Sequence, residues 1–465
     1  MQDKTAEIEQ IIERQALEIK ELKEQIVILL VEIKELKARL NSNSNNSSKP
    51  PSSDGYQKKP AFPKTGNGKK GGQTGHIGNT LKQISNPDET IVQPLCTCTK
   101  CGENLGSVKS ELSEKRQVFE LPQPRLLVIE YQTLKGICPN CGDKQYSNFP
   151  DGVNAPVQYG NGVKALTTLL NVVYKIPFKK VRFLFGDLFH YQLNESTVIT
   201  NNESCYVKLE MAENNIREQI LESIVVHFDE SGVRVGGRLN WLHTATTVLF
   251  TYLWVHINRG RKALDSPKSI IGDFNGWAMH DCWSSYFGYS NVKHAVCGAH
   301  ILRELEALIE EKSLWAGEFK FFLLEIYHFR KRHPYESKTK WKTEFDRICE
   351  RADIEEPPAR ISGNRGRKKR TKGRNLLERL IKHKEAVLAF AYNVEVPFTN
   401  NQAERDIRPV KVKQKVSGCF RTFHGAEVYA RIEGYVSTLR KNRFDIFKEL
   451  TNAFNSTNVD FNLST

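Results

Sequence analysis

Near the end of the chain, Pro397-Phe398-Thr399-Asn400-Asn401-Gln402-Ala403-Glu404-Arg405-Asp406-Ile407-Arg408-Pro409 sets an asparagine pair ahead of a short helical stretch that carries an acid, Glu404. The strip that follows is dense in cations, among them Arg405, Lys411 and Lys413. A carboxylate on a surface suited to polyanions needs a reason, and a divalent metal held beside a phosphodiester is the simplest. Two further candidate carboxylates stand at strand ends upstream: Asp229 in Val225-Val226-His227-Phe228-Asp229-Glu230, and Asp281 in Trp277-Ala278-Met279-His280-Asp281. In chain order they read Asp, Asp, Glu. Converging acids repel one another and raise their own pKa values when no cation is present. Two divalent ions about 3.5–4 Å apart relieve that repulsion, activate an attacking oxygen and stabilise the leaving one. Oxygen-only ligands suit magnesium, with manganese as a substitute. The expectation is metal-dependent cleavage and joining of DNA strands. Glu230, Asp273 and Asp406 are rivals for the same roles, because a lone acid at a strand end is usually structural or solvated.

These acids need a scaffold. Residues 224–228, 239–245 and 250–257 read as strands, with Gly232, Gly236 and Gly237 marking a hairpin region between the first two. Residues 269–281 and 292–296 read as further strands. This order resembles the ribonuclease-H-like core shared by retroviral integrases and many transposases. There the first strand carries one Asp, the fourth ends at a second, and a later helix supplies the third acid. Upstream, residues 161–174 have helical spacing, Pro177 can start a second helix, and a polar break at Gln192-Leu193-Asn194 precedes a third beginning at Glu195-Ser196-Thr197. With Lys175, Lys179, Lys180 and Arg182 nearby, two readings stay open: a helix-turn-helix that contacts DNA, or a helical connector.

The chain has 465 residues, enough for several domains, and a formal net charge of +14 that favours a polyanionic partner. No apolar run approaches the roughly 20 residues that span a bilayer, residues 26–31 being an obvious one. Met1-Gln2-Asp3-Lys4 lacks the design of a secretory signal, so a cytoplasmic, nucleoid-associated location is expected. The first forty residues form a heptad repeat. Ile12, Ile19, Ile26, Ile33 and Leu40 fill one seam position, and Ile8, Leu22, Leu29 and Leu36 the other, with Gln15 the polar member. Ile at a with Leu at d favours a parallel two-stranded coil, and Glu18 with Lys23, and Glu32 with Lys37, have spacing suited to pairing between helices. Asn/Ser/Pro-rich residues 41–53 read as a tether. Residues 58–82 are basic and Gly-rich, including Lys69-Lys70-Gly71-Gly72, which suits phosphate contact or a solvated linker alike.

Ten cysteines in a compartment that disfavours disulfides need another explanation. Cys98-Thr99-Lys100-Cys101-Gly102 and Cys138-Pro139-Asn140-Cys141-Gly142 are two knuckles, each able to offer two thiolates to one tetrahedral zinc. The intervening residues 115–121 and 126–134 alternate like strands of a zinc ribbon. Cys96 is an alternative ligand, and structural zinc is the preferred reading over redox chemistry. Cys205, Cys282, Cys349 and Cys419 are isolated. Cys297-Gly298-Ala299-His300 has metal-compatible spacing but no second pair, and reads as a structural Cys and His near the active centre.

Several motifs together resemble the TnpC-like DDE transposases of the insertion-sequence sixty-six family. They are Gly71-Gly72-Gln73-Thr74-Gly75-His76, the two knuckles, His227-Phe228-Asp229-Glu230-Ser231-Gly232, His280-Asp281-Cys282-Trp283, Cys297-Gly298-Ala299-His300-Ile301-Leu302-Arg303-Glu304-Leu305 and Asn400-Asn401-Gln402-Ala403-Glu404-Arg405. They fall in family order and cover most of the chain beyond the coil. The resemblance implies a DNA transposase of a bacterial insertion sequence that cleaves element ends and transfers a 3′-hydroxyl into target DNA. It carries the catalytic acids and two magnesium ions onto Asp229, Asp281 and Glu404, and one structural zinc onto Cys98, Cys101, Cys138 and Cys141. A helical region between the second and third acids, spanning residues 302–394, fits it. Ending at Thr465, soon after the core, the chain is expected to lack a fuller C-terminal extension. Within the helical region, Arg365-Gly366-Arg367-Lys368-Lys369-Arg370 can lie in a narrow minor groove or act by charge alone.

The expected architecture is multidomain and mixed α/β. A coiled coil spans residues 1–42, a basic linker 43–95, a zinc-ribbon-like module 96–150 and a helical DNA-binding segment 151–222. A ribonuclease-H-like, integrase-type catalytic core spans 223–300 and 396–465, interrupted by a helical insertion, 301–395. The expected partners are element-end and target DNA, a second copy through the coil, and accessory proteins of the element, with no membrane. DNA contacts are expected from Lys69, Lys70, Lys179, Lys180, Arg365, Arg367, Lys368, Lys369, Arg370, Arg405, Lys411 and Lys413. A silent DNA-binding regulator and a nuclease that does not join strands are the rival functions. The seam predicts that residues 1–42 dimerise in parallel. Sedimentation of that segment at micromolar concentration should give a helical dimer; a helical monomer, or no helix, would refute the assignment.

Overall fold

The computed structural model describes residues 81–358, 370–456 and 461, with scattered residues between 15 and 29. Within that last group Ile19, Leu22, Ile26 and Leu29 are helical, and each is 50–55% exposed in the single chain. The rest of the predicted coil lies outside the described residues, as do Lys69, Lys70, Arg365, Arg367, Lys368 and Lys369. No helix among the described residues is long and apolar enough to cross a membrane.

The chain divides into two compact units. The smaller comprises Tyr56–Ile129 and Leu188–His190. Its first knuckle closes on itself: Cys98 N donates to Glu103 O (2.8 Å) and Gly102 N to Cys98 O (2.9 Å), with Gly102 at φ 79°. The amide of Gln117 pairs with both backbone groups of Ile84. Residues 115–121 and 126–134 do not form the expected strands. Val118, Leu121, Leu127 and Val128 are all exposed, and the backbone contacts of the two stretches are isolated, the Gln117 amide on Ile84 and the Ser147 N–H on Leu134 O, with no ladder.

The larger unit comprises Met1–Gly55, Glu130–Asp187 and Tyr191–Thr465. It begins its described part with a small antiparallel hairpin, β1 (Lys135–Ile137) and β2 (Lys144–Tyr146), around the second knuckle. That knuckle repeats the first: Cys138 N donates to Asp143 O and Gly142 N to Cys138 O, with Gly142 at φ 74°. Four helices follow. α1 (Asn161–Thr168) runs into a π-helical turn, Leu169–Val173; then come α2 (Phe178–Phe189), α3 (Glu195–Lys208) and α4 (Glu210–Leu221). Asn194 caps α3 by accepting the N–H of Ser196. Buried Asn201 and Asn202 tie α3 to Thr167 and Asn171. Lys175, grouped by sequence with the basic residues around this segment, instead turns inward and pairs with buried Glu433 at 2.6 Å.

The central sheet has five strands in the order β5-β4-β3-β6-β7. β3 (Val225–Val235), β4 (Arg238–Thr246) and β5 (Thr251–His256) are antiparallel neighbours; β6 (Trp277–His280) lies parallel to β3, and β7 (Lys293–Val296) parallel to β6. A short helix, α5 (Arg261–Leu264), precedes β6. Gly236 and Gly237, both at positive φ, make the tight turn between β3 and β4. Gly232 is not part of that turn; it pairs with Trp241 inside the ladder. The expected strand over 269–281 shrinks to β6, because Asp273 and Phe274 turn back onto Ile270 O and Asn291 holds the carbonyls of Ile271, Gly272 and Phe274. Asp273 is thereby left exposed on a turn.

After β7 come the insertion helices α6 (Gly298–Glu310), α7 (Leu314–Arg332), α8 (Lys340–Glu355), α9 (Lys372–Lys382), α10 (Lys384–Val387) and α11 (Ala389–Tyr392). The chain then returns through α12 (Asn401–Ser417), α13 (Phe423–Lys441) and α14 (Ile446–Phe454). One apolar core joins β3–β5 to α13, α14 and the upstream helices; a second joins β6 and β7 to the insertion. This mixed α/β architecture, with a central sheet and many helices, is compatible with a ribonuclease-H-like core.

The two ends of the insertion meet. Gly298 N donates to Phe398 O at 2.8 Å, and a Cβ on Gly298 would overlap the buried Phe398 ring. Gly298→Ala should therefore cost about 1–3 kcal/mol through overpacking. Gly317, inside α7 with open space at its Cβ position, is the control: Gly317→Ala should be neutral or stabilising by up to about 1 kcal/mol. Urea midpoints check both, and equal shifts would contradict this packing.

Candidate catalytic and metal-binding site

Asp229 lies in the middle of β3, and Asp281 follows directly on β6. The parallel register pairs Val225 with Trp277, Val226 with Ala278 and His227 with Met279. Continued by two residues, it sets Asp281 beside Asp229. Alternation turns Val226 and Phe228 into the apolar core, so His227 and Asp229 share the opposite face.

Glu404 arrives from a distant part of the chain, and Asn400 fixes where. Its side-chain Nδ2 donates to Phe228 O (2.8 Å), its Oδ1 meets His227 Nδ1 (2.9 Å), and its backbone N–H donates to Cys297 Sγ (3.1 Å). With Nδ2 engaged, Oδ1 must accept, so His227 carries its proton on Nδ1. Burial lowers the His227 pKa, keeping the ring neutral. One buried asparagine thus ties the start of α12 to β3 and to the end of β7. Farther along α12, Lys411 Nζ donates to Gly232 O at 2.9 Å, a second tie to the same strand.

The three acids fall within electrostatic reach of one another. Asp229 is pushed up to about 8, first by burial and then by Glu230, Asp281 and Glu404, against the pull of a Glu230 N–H bonded to Asp229 Oδ1. Asp281 Oδ1 accepts the Trp283 N–H at 3.0 Å. Glu404 Oε1 is buried and makes no hydrogen bond, while Arg303 and His300 each stand 3.9 Å from it. Asp281 and Glu404 near Asp229, with a buried Glu404 oxygen that makes no hydrogen bond, are oxygen donors of the kind a divalent cation takes, although the ligand atoms of the three do not all lie within 4.8 Å of one another.

The rival acids are differently placed. Glu230 accepts from Arg259 Nε (2.7 Å) and Tyr286 OH (2.6 Å), and Arg259 lies between the rings of Trp241 and Trp283. Asp406 Oδ2 accepts from Lys441 Nζ (2.7 Å), Thr246 Oγ1 (2.6 Å) and Gln402 Nε2 (2.9 Å). Burial pulls Lys441 down to about 8 against the attraction of Asp406. Both rivals are engaged in structural networks.

Cys297 and His300 come closer to the acids than their spacing alone implied. Ligand atoms of Cys297, His300 and Glu404 all lie within 4.8 Å of one another. Burial opposes the charged form of His300, but the adjacent Cys297 sulfur outweighs it and lifts the ring to about 9. In the knuckles, backbone N–H groups of Lys100 and Cys101 lower the pKa of Cys98, and those of Cys141 and Asn140 lower that of Cys138. Both shifts favour the thiolate that a metal requires.

Of the residues expected to meet DNA, Lys179, Lys180 and Arg405 are exposed. Arg370 pairs with Glu378. Lys411 and Lys413 are half-buried, and burial lowers the pKa of each.

A sheet of this order with acids brought together at two adjacent strands and a returning helix defines a candidate phosphoryl-transfer core. The family model for the transposase IS66 family matches residues 156–428, more than half of the chain, and the protein belongs to that family. It is a DNA-processing enzyme of the transposase class. Residues 2–82 match a second model, a family of unknown function, DUF6444. No curated protein matches the chain.

The asparagine pair gives a direct test of the site's construction. Asn400→Ala leaves the Phe228 carbonyl and the His227 ring without their partner, and should destabilise the protein by at least about 2 kcal/mol. Exposed Asn401→Ala should stay within about 0.5 kcal/mol of wild type. Chemical denaturation measures both; equal effects would remove Asn400 from its assigned role.

Proposed function

We propose that this transposase cleaves DNA at the ends of a mobile element and joins the freed 3′-hydroxyl to target DNA, with Asp229, Asp281 and Glu404 as the ligands of two divalent cations. The observation that carries the reading is the approach of Asp281 and Glu404 to Asp229, with Glu404 Oε1 buried and without a hydrogen bond, while Glu230 and Asp406 are engaged by Arg259, Tyr286 and Lys441. When bound, magnesium or manganese would supply activation of the attacking oxygen and stabilisation of the leaving one. The protein's own part is positional. The β3–β6 register holds Asp281 beside Asp229, Asn400 holds Glu404 across from them, and Arg259 neutralises the extra acid on β3. Loss of a proton from Asp229 accompanies cation binding, because the cation replaces that proton as the counter-charge.

The remaining assignments belong to the same proposal. The knuckle thiols, Cys98 and Cys101 in one and Cys138 and Cys141 in the other, are donors for structural zinc, and the N-terminal coil pairs two copies. Exposed Lys179, Lys180 and Arg405 and the 360–374 segment contact phosphates, giving salt-sensitive affinity.

Each of Asp229→Ala, Asp281→Ala and Glu404→Ala should lower both end cleavage and strand joining by at least about 100-fold, the scale expected for losing a preorganised electrostatic contact at the reacting centre. Binding to end DNA should survive, and activity should require magnesium or manganese. Glu230→Ala and Asp406→Ala must be checked for folding, since each strips a buried partner. Assayed on defined element ends, a dead Asp406→Ala beside a normal Glu404→Ala would reassign the third acid. Normal activity in all five variants would end the carboxylate mechanism.

A further inference from the structure

The corner that holds Glu404 also assembles donors of a different chemical kind. Cys297 is the residue preceding α6, and His300 lies on that helix's first turn, so the two project on one side. Glu404 lies on the first turn of α12. Each offers one ligand atom, and the three atoms lie within 4.8 Å of one another. His300 Nδ1 and Glu404 Oε1 are both buried without a hydrogen bond and stand 3.9 Å apart. Arg303 also stands 3.9 Å from Glu404 Oε1, too far to hydrogen-bond it, and a shared ion would satisfy both atoms. Cys297 Sγ accepts the Asn400 N–H at 3.1 Å, which fixes its position beside the start of α12. The positions are stiff, because Gly298 is packed against Phe398 and Asn400 is locked to β3.

Sulfur, imidazole nitrogen and carboxylate oxygen together suit a borderline-soft ion, and magnesium does not seek thiolate. We propose that Cys297, His300 and Glu404 form a binding site for a thiophilic divalent cation of the zinc or cobalt type, additional to the knuckle zinc. Ligation requires a thiolate and a neutral imidazole, so the protons that Cys297 and His300 carry leave to solvent as the metal–sulfur and metal–nitrogen bonds form. The site stands on these three donors and does not depend on the cleavage mechanism, so sulfur ligation and catalysis are tested separately.

The test is cobalt titration of the full-length protein carrying one zinc equivalent per chain, followed by absorption spectroscopy, comparing wild type with Cys297→Ser and His300→Asn. The knuckle cysteines are common to all three, so difference spectra isolate this site. Wild type should take up one more cobalt equivalent than Cys297→Ser, with a thiolate-to-cobalt charge-transfer band that the variant lacks. His300→Asn should keep sulfur ligation but bind at least about 100-fold more weakly, since even loss of an outer-shell partner costs 10–100-fold. Circular dichroism establishes folding. Equal stoichiometry and spectra in wild type and folded Cys297→Ser would overturn the proposal. Should Cys297→Ser not fold, unchanged cobalt affinity in His300→Asn would overturn it instead.

Discussion

The hydrogen bonds of Asn400 are the constraint on which the arrangement of acids depends. Two of the three acids are set by strand register, which a sheet enforces along its whole length. The third is on a helix that begins only after a long helical insertion, and nothing in a helix's own geometry tells it where to sit over a sheet. Asn400 supplies that information through a side chain bonded to two consecutive residues of β3 and a backbone N–H bonded to Cys297. Beside it, Gly298 and Phe398 bring the insertion's two ends to one point. The second apolar cluster then packs the insertion against β6 and β7, through Met279, Ala295 and Val296.

Electrostatics separates acids that build the protein from acids available to a ligand. Glu433, Glu230 and Asp406 are each buried or half-buried and each has a cation in contact: Lys175, Arg259 and Lys441. A buried charge without such a partner would be strongly destabilising, so these pairs are obligatory once the acids are placed inside. Asp229 follows another course. Burial first, and then the neighbouring acids, lift its pKa, while Lys411, close enough to feel its charge, donates to a backbone carbonyl instead. The cost of gathering carboxylates is left standing in the protein alone. That is the condition under which a divalent cation gains most by binding.

Much of this could be read from sequence, and the failures have physical causes. Asp281 was legible as the residue that closes a strand, whereas Asp229, expected at a strand end, stands mid-strand because β3 runs on to Val235; Glu404 drew attention because an asparagine pair precedes it in a basic strip. The partners that remove Glu230 and Asp406 from contention were not legible: Arg259, Tyr286 and Lys441 lie far from them along the chain. The same blindness applies to Lys175 and Lys411, whose inward turn depends on Glu433 and on the Gly232 carbonyl. Alternation over 115–134 suggested strands, yet alternation describes a face only if something covers it, and Val118 and Val128 are bare. Gly232 misled for the opposite reason, since a glycine within a ladder carries the same letter as one in a turn.

Cys297 and His300 show how a pair with metal-compatible spacing is completed by tertiary structure. Read along the chain, the pair lacked further donors and suggested packing. The fold supplies Glu404 from α12, using the Asn400 contacts that also carry this acid toward Asp229 and Asp281. Glu404 therefore belongs to two donor sets, one of carboxylates alone and one containing sulfur and nitrogen. An acid in that position cannot be optimised for either set without affecting the other, because both are hung on the same short turn of helix. The rigidity at Gly298 and Asn400 has a physical consequence here: with the turn unable to shift, the identity of the bound ion must be decided by the chemistry of the donors.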